Sequence, residues 1–302
     1  NSAFQTGAEE GQFAITSNGA LSFISPLASG GAKLLEAKND ALRQLMVPSN
    51  PVEETYQNLF QQAFAATTGN ALERGEEFQS HYDTVDGSSV DLSGVPAAVL
   101  SKLGLAGGTA TVRQILDRAG FPNIGLGNNL RSAIKTIVIR DRLKLRRQTI
   151  FVEYGGWDHH GELLVTQAGM LDYLDDAVYA FQLSLEALGL AESTVTFSCS
   201  DFGRTLRSNG QGTDHAWSGN QFVFGAPVSG GEVHGQFPSL AIDGPDDVGR
   251  GGRIFPRLSV DEYFCELLQW FGVTAGDMDQ VLPNVSNFYN PASSSKPIGF
   301  IS

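Results

Sequence analysis

Between residues 163 and 188, Leu164, Ala168, Leu171, Leu174, Val178, Phe181 and Leu185 recur at helical spacing. This stripe predicts one long amphipathic helix, with Gly189 placed to cap its end. A β-branched and aromatic run, Thr149-Ile150-Phe151-Val152-Glu153-Tyr154, precedes the helix. A second run, Thr194-Val195-Thr196-Phe197-Ser198-Cys199, follows it. Strand, long helix, strand reads as a βαβ unit, which calls for a parallel pair with a right-handed crossover. Few features constrain the fold class more: the chain is expected to be α/β, with a mostly parallel central sheet.

Elsewhere the pattern is shorter in range. Gln12-Phe13-Ala14-Ile15-Thr16 and Leu21-Ser22-Phe23-Ile24-Ser25 alternate apolar and polar and read as strands or hairpin arms. A helix is expected after Asn50-Pro51, with Tyr56, Leu59, Phe60 and Phe64 on one face. Residues 67–93 are polar and read as loop or short helices. Val112, Ile115 and Leu116 mark a short helix. A longer one is expected from Asn129, striped by Leu130, Ala133, Ile134 and Ile137, and ending in the basic run from Arg140 to Arg147. Gln221 to Phe224 reads as a strand and Ser259 to Phe271 as a helix, with Val260, Phe264, Leu267 and Leu268 inward. No linker or internal repeat interrupts the 302 residues, so one domain over 1–302 is expected, with 1–110 as a divergent peripheral region and 111–302 as the core.

Composition removes some functions. A net charge of -13 offers no basic field for nucleic acid. No apolar run reaches the roughly 20 residues of a membrane span. Cys199 and Cys265 both lie in apolar stretches and read as buried free thiols, with a disulfide between them as the alternative.

In an open α/β sheet, ligands sit outside the carboxyl ends of parallel strands. Both expected strands run into an acid there: Asp158, after Gly155-Gly156-Trp157, and Asp201, after Ser200. The βαβ unit should carry both carboxylates to one edge. His159 and His160 follow Asp158, and Asp214-His215 lies in the Gly-rich stretch after Asp201. Imidazole and carboxylate together suit Zn, Mn, Fe or a similar divalent ion. Arg204, three residues after Asp201, has the fork that clamps a tetrahedral anion. Each residue also has an ordinary reading. Strand-end Asp residues form turns, and Arg204 can serve a structural ion pair. His81 and His234 are read as structural. The joint pattern is what favours a metal site.

Several blocks resemble the DUF1501 family: Gly155-Gly156-Trp157-Asp158-His159-His160, Ser200-Asp201-Phe202-Gly203-Arg204-Thr205, and Asn209-Gly210 through Gly212-Thr213-Asp214-His215-Ala216-Trp217. Val228 to Gly235, Gly249 to Pro256, Trp270 to Val273 and Leu282-Pro283-Asn284 fit as well. The family is similar to the alkaline phosphatase and sulfatase superfamily, which places two divalent metals at strand ends and attacks phosphate or sulfate esters. The resemblance implies a three-layer, alkaline-phosphatase-like sandwich. It implies that Asp158, His160 and His215, in the Asp214-His215 element, hold one divalent ion (Zn, Mn, Mg or Ca), and that Asp201 holds a second. Arg204, His159 and Asn220 would bind a small anionic phosphate or sulfate ester. Export to the periplasm or beyond, by the twin-arginine route, is implied too.

The chain also departs from that pattern. Phe202 stands where the superfamily has a second-site His, and Asp158-x-His160 is tighter than its usual spacing, with Glu162 as another candidate. The early Gly-Gly-x-Asp-Gly motif is not found in residues 1–130, so no nucleophile is assigned. The chain is expected to lack its N-terminal strand, completed by a separate piece or a second copy, or else to be a non-catalytic binding or structural protein on a degenerate form of the fold.

Overall fold

The computed structural model describes residues 77–302 except 124 and 250, together with the backbone of two short strands, Ile24–Pro26 (β1) and Ala32–Leu34 (β2). The expected strand at 12–16 and the helix after Pro51 lie outside the described residues. The chain divides into two compact units. One holds Gly156–Asp172 and Gly189–Ser302; the other holds Tyr173–Leu188 and the described residues before Gly156. The helix Leu163–Ala187 begins in the first and ends in the second.

The helical unit is built on aliphatic packing. Residues 77–84 are helical. Ser89–Asp91 (β3) then pairs antiparallel with Thr109–Thr111 (β4), around a helix at Ala97–Leu103. The helix Val112–Ala119 starts where its apolar triplet predicts. Thr111 caps it, accepting a hydrogen bond from the Gln114 amide while the Gln114 side chain accepts from the Thr111 amide. Leu92, Val99, Leu103, Ile115, Ala180 and Leu183 close one core. The helix expected from Asn129 begins at Gly125 and ends at Val138. In the basic run after it, Arg142 donates to Thr84 and Ser88 hydroxyls. Only the second half of helix Leu163–Ala187 is covered: Phe181 and Leu185 are buried, whereas Leu164 is 84% exposed. The uniform stripe therefore overstated the burial of the first turns.

The other unit is made of short ribbons. Thr196–Phe197 (β5) pairs antiparallel with Val223–Phe224 (β8), and Gly203–Ser208 (β6) with Thr213–Ala216 (β7). All four sheets among the described residues are two-stranded and antiparallel. The expected parallel pair is not formed there. Of residues 149–154 only Phe151 takes part in a bridge, and β5 is already paired with β8. Helix and strand are thus mixed at the coarse level expected of an α/β chain.

Ser259 caps the helix Val260–Phe271 with a full capping box through Glu262. Leu267 is buried with Phe300 and Ile301, and Leu268 packs against Cys265, Val273 and Met278, while Val260, expected inward, is exposed in the first turn. Glu266, 2% exposed, accepts backbone N–H bonds from Ile298, Gly299 and Ile301 and so fastens the last residues of the chain. Both cysteines are free. Cys265 is buried as expected, and burial pushes its thiol up to about 11; Cys199, contrary to expectation, is exposed. No helix among the described residues is long and apolar enough to cross a membrane.

Candidate metal centre

The hairpin of β6 and β7 carries the site. Its register sets Arg204 opposite His215 and Gly203 opposite Ala216. The turn between the strands is fixed by side chains. Asn209 Oδ1 accepts from the Gln211 and Gly212 amides, and Ser208 Oγ donates to the Gly212 carbonyl. Gly210 takes a φ of 116°, open to glycine at little cost.

The segment Trp157–His160 is fastened to this hairpin. The His159 carbonyl accepts from the Thr213 amide at 3.1 Å and from Arg204 Nη2 at 2.7 Å. Asn209 Nδ2 donates to the His160 carbonyl. Gly212 permits the approach, because a Cβ there would stand 2.4 Å from the His159 oxygen. As in a strand, alternate side chains leave the segment on opposite sides. Asp158 and His160 are half exposed, while His159 between them is 5% exposed, its ring edge-on to Trp157.

Three donor atoms converge here. His215 Nε2 lies 2.9 Å and His160 Nε2 3.0 Å from Asp158 Oδ1, and the two nitrogens are 3.2 Å apart. Bonds of about 2.0–2.1 Å to one ion place donors about 2.9 Å apart at a right angle and about 3.3 Å apart at the tetrahedral angle. The triangle fits a shared divalent ion on distance as well as on donor type, and Asp158, His160 and His215 are the residues that could hold it. The hydrogen bond from His215, with Arg204 Nη1 2.5 Å away, holds the Asp158 carboxyl below its usual range.

The other expected site residues lie elsewhere. Asp214 meets His160 through the other ring nitrogen, Nδ1, at 3.4 Å, so it does not share the triangle. Asp201 and Glu162 are exposed and outside the convergent set. Asn220 is exposed in the stretch after β7. His159 faces inward. Arg204 is largely committed: it donates to Asp158, to the His159 carbonyl, and to both the hydroxyl and the carbonyl of Thr213. That leaves one of its five N–H groups for a ligand. Phe202, a departure from the superfamily's pattern, makes a contact of its own. Its ring stacks on His215, with centroids 3.9 Å apart and planes 8° from parallel. The only sequence signal for that contact is an aromatic residue one position before the residue that pairs with Ala216.

A protein-family model described as "Protein of unknown function (DUF1501)" matches residues 38–248, which takes in part of each unit and all three converging residues. No curated protein and no solved structure matches the chain.

Proposed function

The chain belongs to the DUF1501 family, whose description assigns no activity, and from its site we propose an exported, metal-dependent hydrolase acting on phosphate or sulfate esters. The observation that carries the reading is the triangle of Asp158 Oδ1, His160 Nε2 and His215 Nε2, with about half of each side chain open to solvent. Structural ion sites are closed by protein ligands, whereas catalytic ones keep a position open to substrate or water. A divalent ion held there supplies Lewis-acid polarisation of an ester oxygen and neutralises charge that develops on it.

The chain's own residues would do the rest. Asp158 is kept ionised by His215 and Arg204 and so retains its ligand charge near neutrality. The free N–H of Arg204 borders Asp158 and can meet an ester oxygen. Substrate-binding roles for His159 and Asn220 draw no support from their positions, one buried and the other outside the described contacts. The alkaline-phosphatase-like sandwich and delivery to the periplasm or medium belong to the same proposal. The sandwich rests on the order of the motifs, Asp-x-His, long helix, Asp, then Asp-His, and delivery on the family resemblance.

A second reading is a bound ion without turnover, in a protein that binds or supports a partner. Phe202 favours it, because a phenyl ring stacks on His215 where the resemblance leads one to expect a second metal ligand. Assays of aryl phosphates and aryl sulfates with the metal-free protein and with added Zn, Mn, Mg or Ca separate the two. Turnover that appears with the ion and vanishes in His215→Ala supports the hydrolase. Bound ion with no turnover on either ester class leaves the second reading.

A further inference from the structure

We infer that this is a one-ion centre whose two histidines are held from behind, His160 by Asp214 and His215 by Phe202, and that Asp214 is a positioning residue rather than a ligand. The inference rests on the metal reading above and concerns how the site is built.

His160 is the clearer half. A neutral imidazole carries one ring proton, and the partner of one nitrogen decides which. Nδ1 faces Asp214 Oδ1 at 3.4 Å, and that carboxylate is itself fixed by Asn209 Nδ2 at 3.2 Å. Placing the proton on Nδ1, toward the carboxylate that Asn209 fixes, frees Nε2 for an ion beside Asp158 Oδ1. Nε2 is then left with its lone pair toward Asp158 Oδ1 at 3.0 Å and His215 Nε2 at 3.2 Å. Three donor atoms at such distances can share one cation. Asn209 also donates to the His160 carbonyl, so one amide braces the ring's partner and the ring's own backbone.

His215 has no such carboxylate on its other nitrogen among the described hydrogen bonds. Its plane is set instead by the Phe202 stack, and the Arg204 guanidinium lies 5.8 Å from the centroid of that ring. The apolar ring covers one face of the imidazole. The stack fixes the plane in which the His215 nitrogens point. Asp201, next to Phe202, stays exposed and apart.

Two measurements on the full chain test this. In metal-free protein with ¹⁵N-labelled histidine, which has five residues to assign, His160 should show the Nδ1–H form in wild type and lose that preference in Asp214→Ala. An Nε2–H form in wild type, or no change in Asp214→Ala, overturns the positioning role whether or not an ion binds. Elemental analysis after Zn loading should give one equivalent. Competition with a chromophoric chelator should show affinity reduced about 10–100-fold in Asp214→Ala and Phe202→Leu. Phe202→Tyr, which keeps the stack, should restore it. Two equivalents in wild type, loss in Asp214→Ala as complete as in His215→Ala, or unchanged affinity in Phe202→Leu overturns the inference. No uptake by wild type overturns the metal reading itself, and the ring-nitrogen spectra separate that failure from a failure of the positioning role.

Discussion

Around Ile115 and Leu183 the chain buries aliphatic side chains against one another, whereas around Asp158 it is tied together by side chains bonded to backbone. The first region is held by apolar area, which is tolerant of detail so long as volume and pattern are kept. The second depends on polar groups with few substitutes: Arg204 on the His159 and Thr213 carbonyls, Asn209 on its own turn, and Asp247 accepting amides from Asp243, Gly249, Gly252 and Arg253. A fold can be stabilised either way. Only the second way leaves ionisable side chains fixed at the surface, where they can hold an ion.

Four substitutions probe that contrast. Glu266→Ala should have the largest effect. It leaves three amides without an acceptor, and at about 1–3 kcal/mol for each the loss should be roughly 4 kcal/mol, read from denaturant unfolding. A loss under about 1 kcal/mol would mean that the C-terminal residues find other acceptors. Ile115→Ala, at a fully buried position, should cost about 3 kcal/mol, within the usual range for such truncations, and leave metal uptake unchanged. Uptake that falls with it would deny the separate supports of the two regions.

Gly212→Ala acts where the backbones approach. Its Cβ would stand 2.4 Å from the His159 oxygen and 2.5 Å from the His160 carbonyl carbon. The segment bearing Asp158 and His160 must move, so affinity for Zn should drop at least about tenfold, with little change in the unfolding midpoint. Equal affinity would show that the triangle is not held by this contact.

The smallest effect is that of acid on Asp158. Its carboxyl is held below the usual range, by His215 first and then Arg204. A lowered carboxyl contributes stability that is present above its unfolded value, about 4, and is lost as pH falls through the lower folded value. The stability difference between wild type and Asp158→Asn should therefore be constant at neutral pH and shrink in acid. A difference that grows on acidification would reverse the sign.

These contrasts also explain what was legible in the residues alone. The helices at Val112–Ala119 and Val260–Phe271 were readable because apolar spacing and a cap agree locally, at Thr111 and Ser259. Residue type and the glycines around them marked Asp158, His160 and His215 within a wider group that included Asp201 and Asp214, and the family resemblance grouped these three on one ion. Strand partners were not, because pairing β5 with β8 is a long-range choice that periodicity does not encode. Nor was the inward turn of His159 separable from the outward turn of His160, since two adjacent histidines look alike until one side is buried. Asp214 carries the same chemistry as a ligand, and only its approach to Nδ1 rather than Nε2 sets it apart.

Diffraction from crystals soaked in Zn or Mn, recorded at the metal's absorption edge, tests the central claim most directly. One anomalous peak bonded to Asp158 Oδ1, His160 Nε2 and His215 Nε2 is the expected result. A site with no peak under saturating metal, or an ion bound through Asp201 or Asp214 in its place, would contradict it.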